Sequence, residues 1–203
     1  MVVEERGDYS CLSAKEAEIF RLINMHRGKH GLQPIAHSRS LTRVARLHAI
    51  DLVENHPEAG KDRRGYDCTM HSWSDKGFWK AVCYTGDHHY ASGMWNKPRE
   101  ITGIYDDDGY ENVYWTSSDM IYPKRVVERW MRSTEHNDLI LETGKFSGAN
   151  WAAMGIGVHR NVAVMWVGGM VDPLGSMSVS KENEKLLSSR QRNHDLCDIK
   201  SRN

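Results

Sequence analysis

The sequence predicts an α+β fold in which helices stack on a small antiparallel sheet. Three observations carry that reading. Two segments near the N-terminus, "SAKEAEIFRLINMHRGKHG" and "SLTRVARLHAIDLVENHP", repeat apolar residues with helical spacing. A third, "YPKRVVERWMRSTEHNDLIL", does so again after a long aperiodic stretch. Close behind it, "WAAMGIGV" and "VAVMWVGG" flank "HRN" as two strands of a hairpin. With 203 residues, 39% of them hydrophobic, the chain suits one large domain with a packed core. No apolar run approaches the roughly 18 residues of a membrane-spanning helix.

In the first helix Ser13 and Glu16 fit a capping box. Ile19, Leu22 and Ile23, with Phe20 and Met25 beside them, supply the apolar face, and Gly31 supplies the stop. "LQPIAHS" reads as a connector. Ser40 is placed to cap the second helix, whose Leu41, Val44, Ala45, His48 and Leu52 share one face before Pro57 ends it. His48 therefore lies on the core side and reads as a packed, hydrogen-bonded residue rather than a ligand. From Glu58 to Asp108 no period persists, and such a stretch is expected to be functional or braced. "IYDDDGY" makes a turn. Pro123 suits the first turn of the third helix, with Val126, Val127, Trp130, Met131 and Thr134 as its apolar stripe. Gly155 and Gly157 alternate along the first hairpin strand, which marks a place where something presses on the backbone. The organisation is an N-terminal extension (1–12), a domain (13–171) with an aromatic-rich insert at about 72–108, and a polar tail (172–203) in which "SKENEKLLSSRQRN" reads as a short surface helix.

Basic and acidic residues are balanced at 27 each, so no basic field points to nucleic acid or an anionic membrane. The segment "MVVEERGDYSC" is acidic and has no apolar h-region, so it does not read as a signal peptide. The four cysteines show no C-x-x-C spacing, which excludes a zinc ribbon and a thioredoxin-type motif. Their positions fit two disulfides, Cys68–Cys83 and Cys11–Cys197, among three connectivities that four cysteines allow. Disulfides imply an oxidising compartment, extracellular or periplasmic, with a signal segment removed from the chain; a cytosolic protein with four reduced thiols is the alternative.

Glu111 sits in "DGYENVYW", a carboxylate in aromatic company that must be paired, hydrogen-bonded or protonated. His71 in "TMHSWS" and His136 at the end of the third helix complete a set of two imidazoles and a carboxylate. Such a set suits zinc or another divalent cation with an open position, or acid and base on a substrate. Ser133, at i and i+3 with His136, reads as a polar helix end more than as a nucleophile. "GDHHY" is similar to a motif of metal phosphoesterases, whose βαβ pattern is missing here.

Three segments in order resemble the CAP superfamily, which groups cysteine-rich secretory proteins, antigen 5 allergens, plant pathogenesis-related proteins and bacterial SCP-like extracellular proteins. "LINMHRGKHGLQPIAHSRSLTRVARLHAIDL" is similar to the family's opening helices, with Asn24, His26, Arg27, Gly31, Leu32, Pro34, Leu41, Ala45 and His48 in matching places. His71 followed by "GYENVYW" resembles the family's histidine and G-E-N motif, with Tyr110 added between Gly109 and Glu111. "VVERWMRSTEHNDLIL…MGIGV" resembles the bacterial pattern of Trp, Ser, His, Asn and Ile-Leu before a G-x-G strand. The resemblance implies an α-β-α sandwich, secretion and a central cleft that in eukaryotic members holds two His and two Glu able to bind zinc. His71 and Glu111 match the first of each. Ser133 stands at the second Glu, and His136 matches the bacterial motif's His.

The cleft residues implied are His71, Glu111, His136, Ser133 and Asn112. The function implied is a binding module for a small hydrophobic ligand, a divalent metal or an extracellular protein partner, with no nucleic acid and no transmembrane segment. A metal-assisted hydrolase or protease on the same cluster stays open, though no nucleophile with an oxyanion hole is present. A purely structural cluster, with Glu111 as a hydrogen-bond hub, stays open too. The aromatic insert reads either as a lid or rim over the cleft or as a surface excursion braced by Cys68–Cys83.

Overall fold

The computed structural model describes residues 11–175. The first helix, α1 (Ala14–Lys29), begins at a complete capping box: the Ser13 hydroxyl accepts from the Glu16 amide and the Glu16 carboxylate accepts from the Ser13 amide. Gly31, at φ 76°, turns the chain out of it. The connector contributes a two-residue strand, β1 (Ala36–His37), and leads to α2 (Arg39–Asn55). Ser38, not Ser40, caps α2 by accepting from the Leu41 amide. Ser40 lies within the first turn, and its hydroxyl donates to the buried carboxylate of Asp172 at 2.8 Å.

The aperiodic region holds more structure than its composition shows. Cys68 and Cys83 form a disulfide, and Trp73 and Val82 exchange backbone hydrogen bonds inside its loop. Two short helices follow, α3 (Ala91–Trp95) and α4 (Lys97–Thr102), and then strand β2 (Tyr110–Trp115). The third predicted helix is two, α5 (Pro123–Arg132) and α6 (Thr134–Leu141), broken at Ser133. Ser133 has extended backbone and caps α6; Met131, near the end of α5, and Thr134, past the break, face solvent rather than extend the apolar stripe. Strands β3 (Ala153–His159) and β4 (Val162–Gly168) form the predicted hairpin.

The sheet order is β1-β3-β4-β2, antiparallel except where β1 runs parallel to β3. Every residue of β4 is buried, as a central strand covered on both faces requires. One layer places α2 and the insert on the sheet, with Leu41, Val44, Leu52, Trp73, Tyr105 and Trp166 in the core between them. The other places α1, α5 and α6 on the opposite face over Ile19, Ile23, Val126, Trp130, Met154 and Met165. The fold is therefore the α-β-α sandwich that the resemblance implied. The presser on Gly155 and Gly157 is α2: a Cβ at Gly155 would lie 2.1 Å from the Leu41 carbonyl carbon, and one at Gly157 2.3 Å from that of Ala45.

Among the described residues no helix is long and apolar enough to cross a membrane. The expected Cys11–Cys197 pair, the tail helix and residues 1–10 of the N-terminal extension lie outside the described residues.

Candidate functional site

Strand alternation determines how the site is built. β2 is an edge strand, and the residues along it point in turn to the two helical layers. Glu111 points toward the α2 layer, where its side chain has no solvent exposure. Its Oε1 meets Nδ1 of His48, and its Oε2 accepts from Nδ1 of His71 at 2.7 Å. The sequence pointed Glu111 at His71 and His136; the structure gives its other oxygen to His48 instead. His48 reaches it because the apolar stripe of α2 carries the imidazole into the core. There it stacks on Trp73 at 4.2 Å and makes a 2.9 Å hydrogen bond from Nε2 to the Ser72 carbonyl.

Proton counting defines the electrostatics. A carbonyl only accepts, so His48 Nε2 carries a proton. The Nδ1–Oε1 contact needs another, held by the ring or by the carboxyl. Burial opposes charge on both groups. For Glu111 the charges and hydrogen bonds of His48 and His71 outweigh it, and its carboxyl is held below the usual range. For His48, burial is outweighed by Glu111, with help from Ser72 and Asp51, and the imidazole is raised above its ordinary value. Both directions favour an imidazolium–carboxylate pair at this contact. A carboxylate also fixes the tautomer of a neutral His71 ring: Nδ1 donates, which leaves Nε2 as an acceptor on a side chain that is 24% exposed.

A cleft of about 750 Å3 runs along the outer edge of β2. One wall comes from the disulfide-braced insert (His71, Tyr84, His88, Trp95), the other from α6 and the loop after it (His136, Phe146, Trp151). Asn112 ties the walls to the strand by donating from Nδ2 to the His136 carbonyl at 3.0 Å. Burial, and then the nearby His71, hold the His136 imidazole below its ordinary value. Ser133 is not a cleft residue; its hydroxyl serves the α6 cap. The insert is no surface excursion: Trp73, Trp79, Tyr84 and Tyr105 are core, while Tyr84 and Trp95 also face the cleft, so the insert forms its rim. His88 of "GDHHY" is bonded by the Tyr84 hydroxyl at 2.6 Å.

The donors do not suit a metal. Both oxygens of Glu111 are filled by imidazoles, Ser133 replaces a second carboxylate, and among the described residues no three His, Cys, Asp or Glu are grouped to hold an ion. The hydrolase reading retains an oriented imidazole in His71, but among the described residues no serine, threonine or cysteine side chain is bonded to that ring. His48 is the packed, hydrogen-bonded core residue that the sequence predicted, but its pairing with Glu111 was not foreseen, nor were the rings of Tyr84, Trp95 and Trp151 in the cleft. For His48 a usable signal was present: an imidazole on a buried helix face needs a partner, and Glu111 was a carboxylate in need of one.

Residues 20–162 match the family model for the cysteine-rich secretory protein family, CAP. No curated protein matches the sequence. A cysteine-rich secretory protein from Staphylococcus aureus is similar in structure at 14% identity, TM-score 0.48, over 75% of this chain and 37% of its own. An extracellular protein containing a SCP domain from Bacillus anthracis is similar at 17% identity, TM-score 0.49, over 77% and 40%. An outer surface protein from Borrelia burgdorferi is similar at 16% identity, TM-score 0.47, over 74% and 88%. The chain thus spans less than half the length of the first two.

Proposed function

Because this chain belongs to the cysteine-rich secretory protein (CAP) family, we propose that it is a secreted binding module whose cleft takes a small ligand. The observation that carries this reading is the cleft's chemistry. Its buried Glu111 carboxylate is neutralised from within by His48 and His71, so a ligand at that end would meet imidazole edges and aromatic rings rather than a metal or the Glu111 charge. Rings present large contact area with few rotatable bonds, as small-molecule sites do. Secretion is supported by the Cys68–Cys83 disulfide, a bond that persists in oxidising compartments. Glu111, on this reading, positions His71 and is not itself a ligand.

A neutral, apolar, environment-sensitive dye such as Nile red tests the cleft. Titration is expected to give a saturable rise in emission, and Tyr110→Ala is expected to weaken it by about tenfold, the loss usual for a central aromatic contact. Emission that rises without saturation, or equally in Tyr110→Ala, would count against a ligand-binding cleft.

A further inference from the structure

The cleft has two chemically distinct ends, and the end away from the imidazoles has no role in the reading above. Tyr110 stands at its centre. Its ring lies 5.8 Å from Trp95, 5.6 Å from Phe146 and 5.3 Å from Trp151, centroid to centroid. The interplanar angles are 42°, 77° and 44°, so these four rings form a faceted wall rather than a flat stack. All four line the cleft, and Tyr110, Trp95 and Phe146 remain half-buried rather than sealed in the core.

The charges around this wall are unbalanced. Four carboxylates line the cleft: Asp107, Asp108, Glu111 and Glu135. Asp108 is paired with Arg99, and Glu111 with His48 and His71. Asp107 and Glu135 have no cationic partner among the described residues. Asp107 lies three residues before Tyr110, is half-buried in the cleft lining and is near enough for its charge to act on the Tyr110 hydroxyl; its Oδ1 accepts from the Asp108 amide at 2.9 Å. The wall already attracts a cation: the Lys145 ammonium lies 5.2 Å from the centre of the Phe146 ring. Aromatic faces carry negative electrostatic potential and favour weakly hydrated cations, above all alkylated ammonium groups.

We infer that the aromatic end of the cleft, built on Tyr110, binds the quaternary ammonium group of a small molecule, with Asp107 supplying the counter-charge. This rests on the cleft being a ligand site and names its ligand class. The rings provide the contact surface for the methyl groups. The uncompensated carboxylate provides the preference for positive charge over an apolar group of the same shape.

The test compares choline chloride with 3,3-dimethylbutan-1-ol, its uncharged isostere, by tryptophan fluorescence at constant ionic strength. Choline is expected to give a saturable change and the alcohol to bind at least about tenfold more weakly. Asp107→Asn, a substitution at a half-buried position outside the rings, is expected to weaken choline at least threefold (on the order of one lost charge contact) while leaving the alcohol unchanged. Tyr110→Leu is expected to abolish choline's advantage over the alcohol. Absence of saturable choline binding, or equal binding of the two compounds, overturns the inference. Saturable Nile red uptake in the same preparation would then show that the cleft binds ligands but not cations. Loss of both would remove the ligand-binding reading as well.

Discussion

Glu111→Leu is expected to destabilise the protein by about 3–5 kcal/mol, the cost of stranding a buried charge whose partner has been removed. Two imidazoles lose their acceptor at once: Nδ1 of His48, wholly buried, and Nδ1 of His71. Glu111→Gln is expected to cost far less, about 1–2 kcal/mol. An amide offers both an oxygen to accept from His71 and an N–H that a neutral His48 can accept at Nδ1, while Nε2 still donates to Ser72. Urea unfolding of the three proteins checks the order. A Leu variant as stable as the Gln variant would mean that His48 is neutral in the native protein. The pH dependence follows from the directions of the shifts. Glu111 is lowered from 4.5, so its contribution is present above that value and is lost as pH falls through the folded one. His48 is raised from 6.5, so its contribution is present below that value and is lost as pH rises through the folded one. The advantage of wild type over Glu111→Gln is therefore expected to be largest between those two unfolded-state values and to shrink on either side.

Gly155→Ala is expected to cost about 3 kcal/mol or more, the upper part of the range for overpacking, because the atoms it meets belong to backbone. A methyl group there would sit 2.1 Å from both the Leu41 carbonyl carbon and the Thr42 nitrogen, which no side-chain rotation relieves. The helix α2 would have to retreat from β3, and that movement would also shift His48 away from Glu111. Thermal unfolding is expected to drop by roughly 10 °C for a domain of this size. Gly28→Ala is the matched contrast: nothing lies within 4 Å of the added atom, and the residue is exposed in α1. There the helix propensity of alanine is expected to add about 0.5–1 kcal/mol. Opposite signs from the same chemical change would locate the close contact; a neutral Gly155→Ala would show that α2 does not press on the strand.

What the sequence made legible was local. Caps and periods placed α1, α2, α5 and the hairpin, and the alternating glycines foretold the tight contact before its partner was known. The remainder depended on tertiary context. Strand β2 hid inside an aromatic segment whose face alternation, Glu111 to one layer and Tyr110 to the other, is not visible as apolar against polar. The break at Ser133 looked like continuous helix because its cap residue also fits within one. The insert's short helices were below the length at which periodicity speaks. Of the site, Glu111 and His71 were found because a carboxylate among aromatic residues demands a partner. His48 was set aside because its helix face pointed inward, and inward is where the carboxylate was. The aromatic wall around Tyr110 joins β2, α3 and the loop after α6, and such distances in sequence leave no local pattern.

The central claim is that Glu111 is neutralised inside the fold, by an imidazolium at His48 and a hydrogen bond from His71, so that the cleft offers rings and imidazole edges. Imidazole 15N chemical shifts of His48, recorded through a pH titration, test it directly. Both nitrogens are expected to remain protonated above the ordinary histidine value of 6.5, with the Nδ1 proton coupled to the Glu111 carboxylate. A His48 ring that carries a single proton on Nε2 and titrates as an ordinary histidine would contradict the account.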